Sequence, residues 1–375
     1  MRTPRLVNVT IYSVINVLLA LGAGQAPAEP PAALQRQHLQ VLTSVPESQL
    51  FPMMNAIADS LGVRCDYCHV RSAPDPTKTW SLAGGWIWDR DDKPPKLAAR
   101  GMMRMVADIN ARQFGGRAIV SCYTCHRGSV SPVTFPPLPP RPYATAPEPL
   151  ARPLPSADEV WSAYLRAVGA TRRFETLVMS ATDDRSEGRH GTFDVVFKGT
   201  GRFRATLRMP PDGPVTQGLT GDSGWLASDS GSRALRPAEL ELLRRAAQRY
   251  AVVKADRPAN LQIAKMERLG DRDAYVAVSE VSPQTTVTLF FDVATGLLLR
   301  ERTTTTTSFV PLQAQVDYED YRNVDGVMLP FLIRSSDGSP FDTSVKVFTT
   351  VRHDVDVDDS IFERPVAAPK ALPRH

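Results

Sequence analysis

The sequence predicts a multidomain chain: a mainly helical domain, then an α+β domain with a curved, largely antiparallel sheet. Three observations predict it. Two pentapeptides, Cys65-Asp66-Tyr67-Cys68-His69 and Cys122-Tyr123-Thr124-Cys125-His126, each follow a stretch of helical periodicity. A tract from Pro132 to Pro155 has ten prolines in 24 residues, the composition of a semi-rigid extended linker. Beyond that tract the apolar positions change to two-residue alternation broken by turn residues.

The chain has 375 residues, enough for two or three domains. With 42% apolar and 22% charged residues it falls among ordinary globular proteins. The 44 basic and 40 acidic residues are interspersed and leave a net charge of +4, so nucleic acid is not an expected partner.

Met1-Arg2-Thr3-Pro4-Arg5 is a basic n-region, Leu6 to Ala23 is mostly apolar, and small residues from Gly24 to Ala28 close the stretch. Residues 1–28 therefore read as a signal peptide. An uncleaved anchor is the alternative, because the apolar run reaches the lower limit of a membrane span. Either way the body of the protein is expected outside the cytoplasmic membrane, in the periplasm. No cysteine stands near the cleavage region to take a lipid.

Residues 29–131 form the helical domain. A short helical pattern runs around Leu34, Leu39 and Leu42 to Pro46. A second helix starts at Pro52, which is tolerated in a first turn, and carries Met53, Met54, Ile57 and Ala58 to a stop at Gly62. The first pentapeptide follows. Two thiols three positions apart can each form a thioether to a haem vinyl group, while the adjacent imidazole reaches the iron. All four cysteines of the chain lie in the two motifs. Two redox disulfides or one four-cysteine zinc site are the alternatives, and neither explains a histidine after each pair. The expected cofactors are thus two covalently bound haem c groups, attached at Cys65, Cys68, Cys122 and Cys125, with His69 and His126 as proximal iron ligands. This makes the helical part a multihaem cytochrome c domain.

Between the motifs, Ser72 to Leu82 is rich in turn residues, and Trp86 to Pro95 reads as an irregular loop whose tryptophans could pack on a haem edge. Lys96 to Phe114 reads as a helix with Leu97, Met102, Met105, Val106 and Ile109 on one apolar face, ended by Gly115-Gly116. Helix followed by motif occurs twice, a small internal repeat over residues 50–130. An upstream helix can also offer a sixth iron ligand. Methionine suits that role as a soft thioether, although Met53 and Met54 also fit as core filler.

Met54, Ala58-Asp59-Ser60-Leu61-Gly62-Val63, the first motif, Ala99-Arg100, Met102, Met105-Val106, Ile109-Asn110 and Cys122 to Gly128 together resemble the cytochrome c subunit of photosynthetic reaction centres. The resemblance spans about residues 48–135. It implies that each haem is held by a helix, turn and motif, with a methionine from the helix on the distal side. That assigns Met54 to the His69 haem and Met102 to the His126 haem, with Met105 the alternate for Met102. Met103 points about 100° away. The family carries four haems as two such pairs, and this chain has one pair. The implied role is electron transfer with redox proteins or a membrane electron-transport complex.

Residues 132–155 are the linker, 156–368 the sheet domain and 369–375 a tail. Ser156-x-x-Glu159 is a capping-box signature that opens a helix over Val160, Trp161, Tyr164, Leu165 and Val168. Strands are expected at Thr192–Phe197, Gly201–Met209, Gly224–Ala227, Ala274–Val281, Thr285–Asp292, Leu297–Thr306, Gln313–Tyr318, Met328–Ser335 and Val345–Val351, with an intervening helix over Ala238–Tyr250. Tyr318 to Ile333 and Asp358-Asp359-Ser360-x-Phe362 resemble the half-barrel of periplasmic lipoprotein-carrier and lipoprotein-sorting proteins, which implies a possible lipophilic ligand. No nucleophile, base and orienting group stand together here, and His190 and His353 read as surface residues. The expectation is an exported dihaem electron-transfer protein rather than an enzyme. The alternatives are a dihaem peroxidase with one open iron site, or a periplasmic carrier of a lipophilic ligand with redox haems.

Overall fold

The computed structural model describes residues 39–71, 86–134, 153–169, 174–199, 201–229, 231–237, single positions between 239 and 247, 257–307, 309–336 and 343–365. The signal segment, most of the proline-rich linker, the Ser72–Leu82 loop, most of the helix expected over Ala238–Tyr250 and the tail lie outside the described residues.

In the amino-terminal part, α1 (Glu47–Leu61) leads to α2 (Cys65–Cys68), and the strands β1 (Val70–Arg71) and β2 (Trp86–Ile87) pair antiparallel behind it. Next come α3 (Pro94–Phe114) and α4 (Cys122–His126). Pro94 and Pro95 occupy the first helical positions of α3, where a missing N–H costs nothing. Both long helices end on a glycine in the left-handed region, Gly62 and Gly115. Two expectations are corrected here. Residues 39–46 form turns rather than the end of a helix, because Leu42 and Val45 are committed to a buried cluster. And α1 starts five residues before Pro52, so that the proline sits inside it.

The packing is interleaved: α1 lies against α4, and α3 lies against both α2 and α4. Each long helix thus supports the other unit's motif.

The carboxy-terminal part opens with α5 (Ala157–Val168), capped by Ser156. The Ser156 hydroxyl accepts from the Glu159 N–H at 3.2 Å, and the Glu159 carboxylate accepts from the Ser156 N–H at 2.7 Å. The strands are β3 (Thr176–Arg185), β4 (Arg189–Lys198), β5 (Arg202–Arg208), β6 (Val215–Thr220), β7 (Ser223–Ser228), β8 (Gly231–Ala234), β9 (Gln262–Leu269), β10 (Arg272–Ser282), β11 (Thr285–Asp292), β12 (Leu298–Thr305), β13 (Leu312–Val324), β14 (Val327–Ser336) and β15 (Thr343–His353). They form one 13-stranded antiparallel sheet in the order β8-β7-β6-β5-β4-β3-β15-β14-β13-β12-β11-β10-β9. Two meanders are therefore joined edge to edge where β3 meets β15, with Asp183 opposite Lys346.

One face carries the main core. Val160, Tyr164 and Val168 of α5 pack there among Phe193, Phe203, Phe291, Phe331 and Phe348, each buried side chain contributing about 1.5–3 kcal/mol. Tyr164 and Phe291 have ring centroids 5.4 Å apart. A second cluster crosses between the two parts. Phe309 and Val310, from the connection between β12 and β13, are buried with Leu42, Val45, Met53 and Met103.

This architecture overturns the expected fold class. The described protein is predominantly one large antiparallel sheet, and a mainly helical multihaem domain does not set its character. Two of the five α-helices among the described residues are single turns of four and five residues. In the large sheet four strands, β3, β6, β8 and β9, arise where the sequence pattern was silent, and β2 replaces part of the loop expected over Trp86 to Pro95.

Candidate functional site

Each pentapeptide is a short helical turn entered from extended backbone. At the first, Arg64 is extended (ψ 168°) and the His69 N–H bonds the Cys65 carbonyl at 2.9 Å, placing Cys65, Cys68 and His69 on one turn. At the second, Ser121 caps the turn, and its N–H donates to Thr124 Oγ1 at 3.0 Å. The approach to it is fixed by Asn110, which is 1% exposed. Asn110 Oδ1 accepts from the N–H groups of Ile119 and Val120 at 3.2 and 2.9 Å, and its amide donates to the Val120 carbonyl at 2.8 Å. The Gly128 N–H donates to the Ser60 carbonyl at 2.9 Å, which ties the end of the second unit to α1.

The two imidazoles are held differently. His126 Nδ1 lies 3.0 Å from the Ser129 carbonyl oxygen. As donor there it leaves Nε2 as the nitrogen able to bind a metal. His69 is half-buried, its Nδ1 is buried with no hydrogen-bond partner, and its ring meets Trp88 edge-on with centroids 5.0 Å apart. Burial first, and then the Lys96 ammonium, push its pKa down to about 4 against a raising contact with the Trp88 backbone, so the imidazole is neutral at pH 7. The surrounding loop is locked to α3: Lys96 Nζ donates to the carbonyls of Trp88 and Arg90 at 2.7 and 2.6 Å, and Arg100 grips Asp91 at 2.6 and 2.8 Å. The two cations hold the Asp91 carboxyl well below the usual range. Sequence reasoning missed this clamp, because Lys96 and Arg100 look like solvent-facing residues until Asp91 is folded over them.

The cysteines are four separate thiols. Burial raises the pKa of Cys65, Cys68 and Cys122, the reverse of the lowered values that mark reactive redox thiolates. Among the described residues no three His, Cys, Asp or Glu side chains gather to hold a metal ion.

The methionines separate by face. Met53 is fully buried and Met103 is 9% exposed, both in the shared core cluster. Met54 is half-buried against that cluster. Met102 and Met105 stand 48% and 46% exposed, beside Leu97. The expected inward apolar face of α3 is thereby corrected: Lys96, Arg100, Met103, Val106 and Asn110 face inward, and most of the predicted stripe faces out. Of the thirteen large apolar side chains markedly exposed among the described residues, ten fall between Phe51 and Val133. Exposed apolar surface concentrated this way marks a place where something apolar binds. Each unit can thus present two thiols and an imidazole within an apolar surface.

In the sheet domain His353 is buried, its side chain 2% exposed, and stacked on Phe174 with ring centroids 3.5 Å apart. This corrects its reading as a surface residue. His190 is exposed and bonded to Asp184 at 2.8 Å. Among the described residues no helix is long and apolar enough to cross a membrane.

No family model matches the chain. The chain is similar to cytochrome c-554 of Chloroflexus aurantiacus, 30% identical over 99 residues. That match covers 24% of this chain and 20% of the relative, so the chain spans about a fifth of the length of the curated relative it matches. Two solved structures are loosely similar to the sheet-bearing half. One is a LolA superfamily protein from Nitrosomonas europaea (16% identity, 56% of this chain and 99% of that one, TM-score 0.39). The other is a DUF1329 family protein from Desulfovibrio piger (15% identity, 54% and 97%, TM-score 0.38).

Proposed function

We propose that this chain is an exported dihaem c-type cytochrome that passes electrons between redox partners outside the cytoplasmic membrane. The observation that carries the reading is the coincidence of two complete Cys-x-x-Cys-His turns with the concentration of exposed apolar side chains around them. The similarity to a cytochrome c agrees with it.

The bound haems supply one-electron chemistry at iron. The chain's part is to hold and tune them. Cys65 and Cys68, and Cys122 and Cys125, would be the covalent anchors of the haems. His69 and His126 would bind the irons, His126 with its tautomer set by Ser129. Met54 would supply a thioether to one iron, and Met102 or Met105, both on the outward face of α3, to the other. The exposed side chains of Leu97, Tyr67 and Trp88 would shield the haems from water. Were methionine sulfur to bind both irons, no iron would be open to a substrate, and electron transfer would be favoured over a peroxidase.

The test is the denatured intact mass of the matured protein together with carbon monoxide binding to its reduced form. Two haem additions and no carbon monoxide adduct are expected. One addition or none overturns the dihaem reading, and an adduct at one haem moves the chain to the enzyme class.

A further inference from the structure

We propose that β9, the edge strand at one end of the large sheet, pairs antiparallel with β9 of a second copy of this chain about a two-fold axis at Met266. The pairing joins two 13-stranded sheets into one and requires no haem.

The sheet ends in β8 on one side and β9 on the other. β8 is four residues long, and its Ser232 hydroxyl is tied to the Pro365 carbonyl at 2.6 Å. β9 has eight residues, with Ala264, Lys265, Met266 and Arg268 exposed. Leu269 stands opposite Arg272 across the two-residue turn into β10. In an antiparallel ladder the backbone groups alternate in direction, so those of Leu269, Glu267 and Lys265 face β10, and those of Arg268 and Met266 face outward. Among the described residues nothing pairs with these outward N–H and C=O groups.

Such an edge templates pairing with another chain unless charge keeps it off. Here the charges cancel within one copy. Lys265 Nζ lies 2.7 Å from Glu267 Oε2, and Arg268 Nη1 lies 3.0 Å from Asp273 Oδ1. A lone lysine would guard the edge, but one neutralised by its neighbour does not.

Self-complementarity about Met266 selects a second copy as the occupant. In a two-fold antiparallel pair, each residue before the centre faces the residue equally far after it. Centred on Met266, Lys265 faces Glu267 of the second copy, and Glu267 faces its Lys265. These are the closer, non-hydrogen-bonded positions, where opposite charges attract across strands. The two Met266 backbones exchange N–H to carbonyl bonds, and their side chains, each 39% exposed, cover one another. Arg268 falls opposite Ala264, whose small side chain leaves it room. Centring the pair on Lys265, Glu267 or Arg268 instead sets like charges face to face, which destabilises it. The register of β9 on β10 shifts between Val276 and Ala277, and this bulge limits the new ladder to residues 264–268.

The test is sedimentation equilibrium of the full-length protein from about 1 to 300 μM, with dimer expected at the upper end. Lys265→Glu, which turns both cross-strand attractions into repulsions, should weaken association at least about tenfold. Adding Glu267→Lys to it should restore the parent affinity to within about threefold, because the exchanged charges again face their opposites. Met266→Lys sets two ammonium groups at the axis and should weaken association by a similar factor. Monomer throughout that range overturns the proposal, as does a dimer indifferent to Lys265→Glu or one that the charge exchange does not restore. Should Lys265→Glu fail to fold by circular dichroism, Met266→Lys decides, since unchanged association of that variant sinks the β9 contact.

Discussion

Gly62 is the point where the two motif units touch. It caps α1 at φ +67°, and a Cβ placed there would sit 2.2 Å from the carbonyl oxygen of Gly128, whose N–H already bonds Ser60. Gly115 caps α3 in nearly the same conformation, φ +60°, yet its Cβ would meet nothing within 4 Å. Gly115→Ala therefore carries only the left-handed backbone term, about 1 kcal/mol. Gly62→Ala carries the same term, plus about 1 kcal/mol for the broken Ser60–Gly128 bond and about 1–2 kcal/mol for forcing α1 and the second unit apart. The expected loss is about 3–4 kcal/mol against about 1 kcal/mol. Urea unfolding of both variants in the full chain, followed by circular dichroism, measures the difference, and intact mass reports whether Gly62→Ala matures with fewer haems. Equal losses at the two glycines would refute the close approach of Gly62 to Gly128.

Asp183→Asn should cost about 3–5 kcal/mol by leaving two buried cations without their counter-charge, read as a lowered urea midpoint. Because the folded state depresses the Asp183 pKa, its contribution is complete above the unfolded value of about 3.9 and is lost as pH falls through the folded value, so the variant and the parent should converge in acid. Asn110→Ala removes three hydrogen bonds to the backbone of residues 119 and 120 and should cost about 2–4 kcal/mol, with intact mass showing poorer haem attachment at the second motif than at the first. Replacing a true distal methionine by alanine should remove half of the near-infrared sulfur-to-iron band. Met102→Ala and Met105→Ala, both on the outward face, identify the ligand by which one does so, whereas Met103→Ala should lower stability by about 2–5 kcal/mol and leave the band intact.

The sequence by itself determined what local chemistry determines. The spacing of Cys65, Cys68 and His69, and of Cys122, Cys125 and His126, is a covalent fact. The Ser156–Glu159 box forms as its pattern requires, since all its partners lie within one turn. Asp292 to Gly296 turns the chain for the same reason, with Thr295 Oγ1 donating to Asp292 Oδ2 at 2.6 Å. Tertiary structure decided the features whose partners are remote. The Thr176–Arg185 strand was illegible because Asp183 and Arg185 look like surface residues. They are buried only because Lys346 and Ser344 arrive more than 150 residues later in register. Leu97, Met102 and Met105 have the period of a buried face, but period gives no direction. The Asp91 clamp on Arg100 and Lys96 turns the opposite, charged side of α3 inward. The join between the two parts, Phe309 and Val310 against Met53 and Met103, follows from no local pattern. An apolar residue in a connection gains its energy only from the surface that the whole fold brings to it.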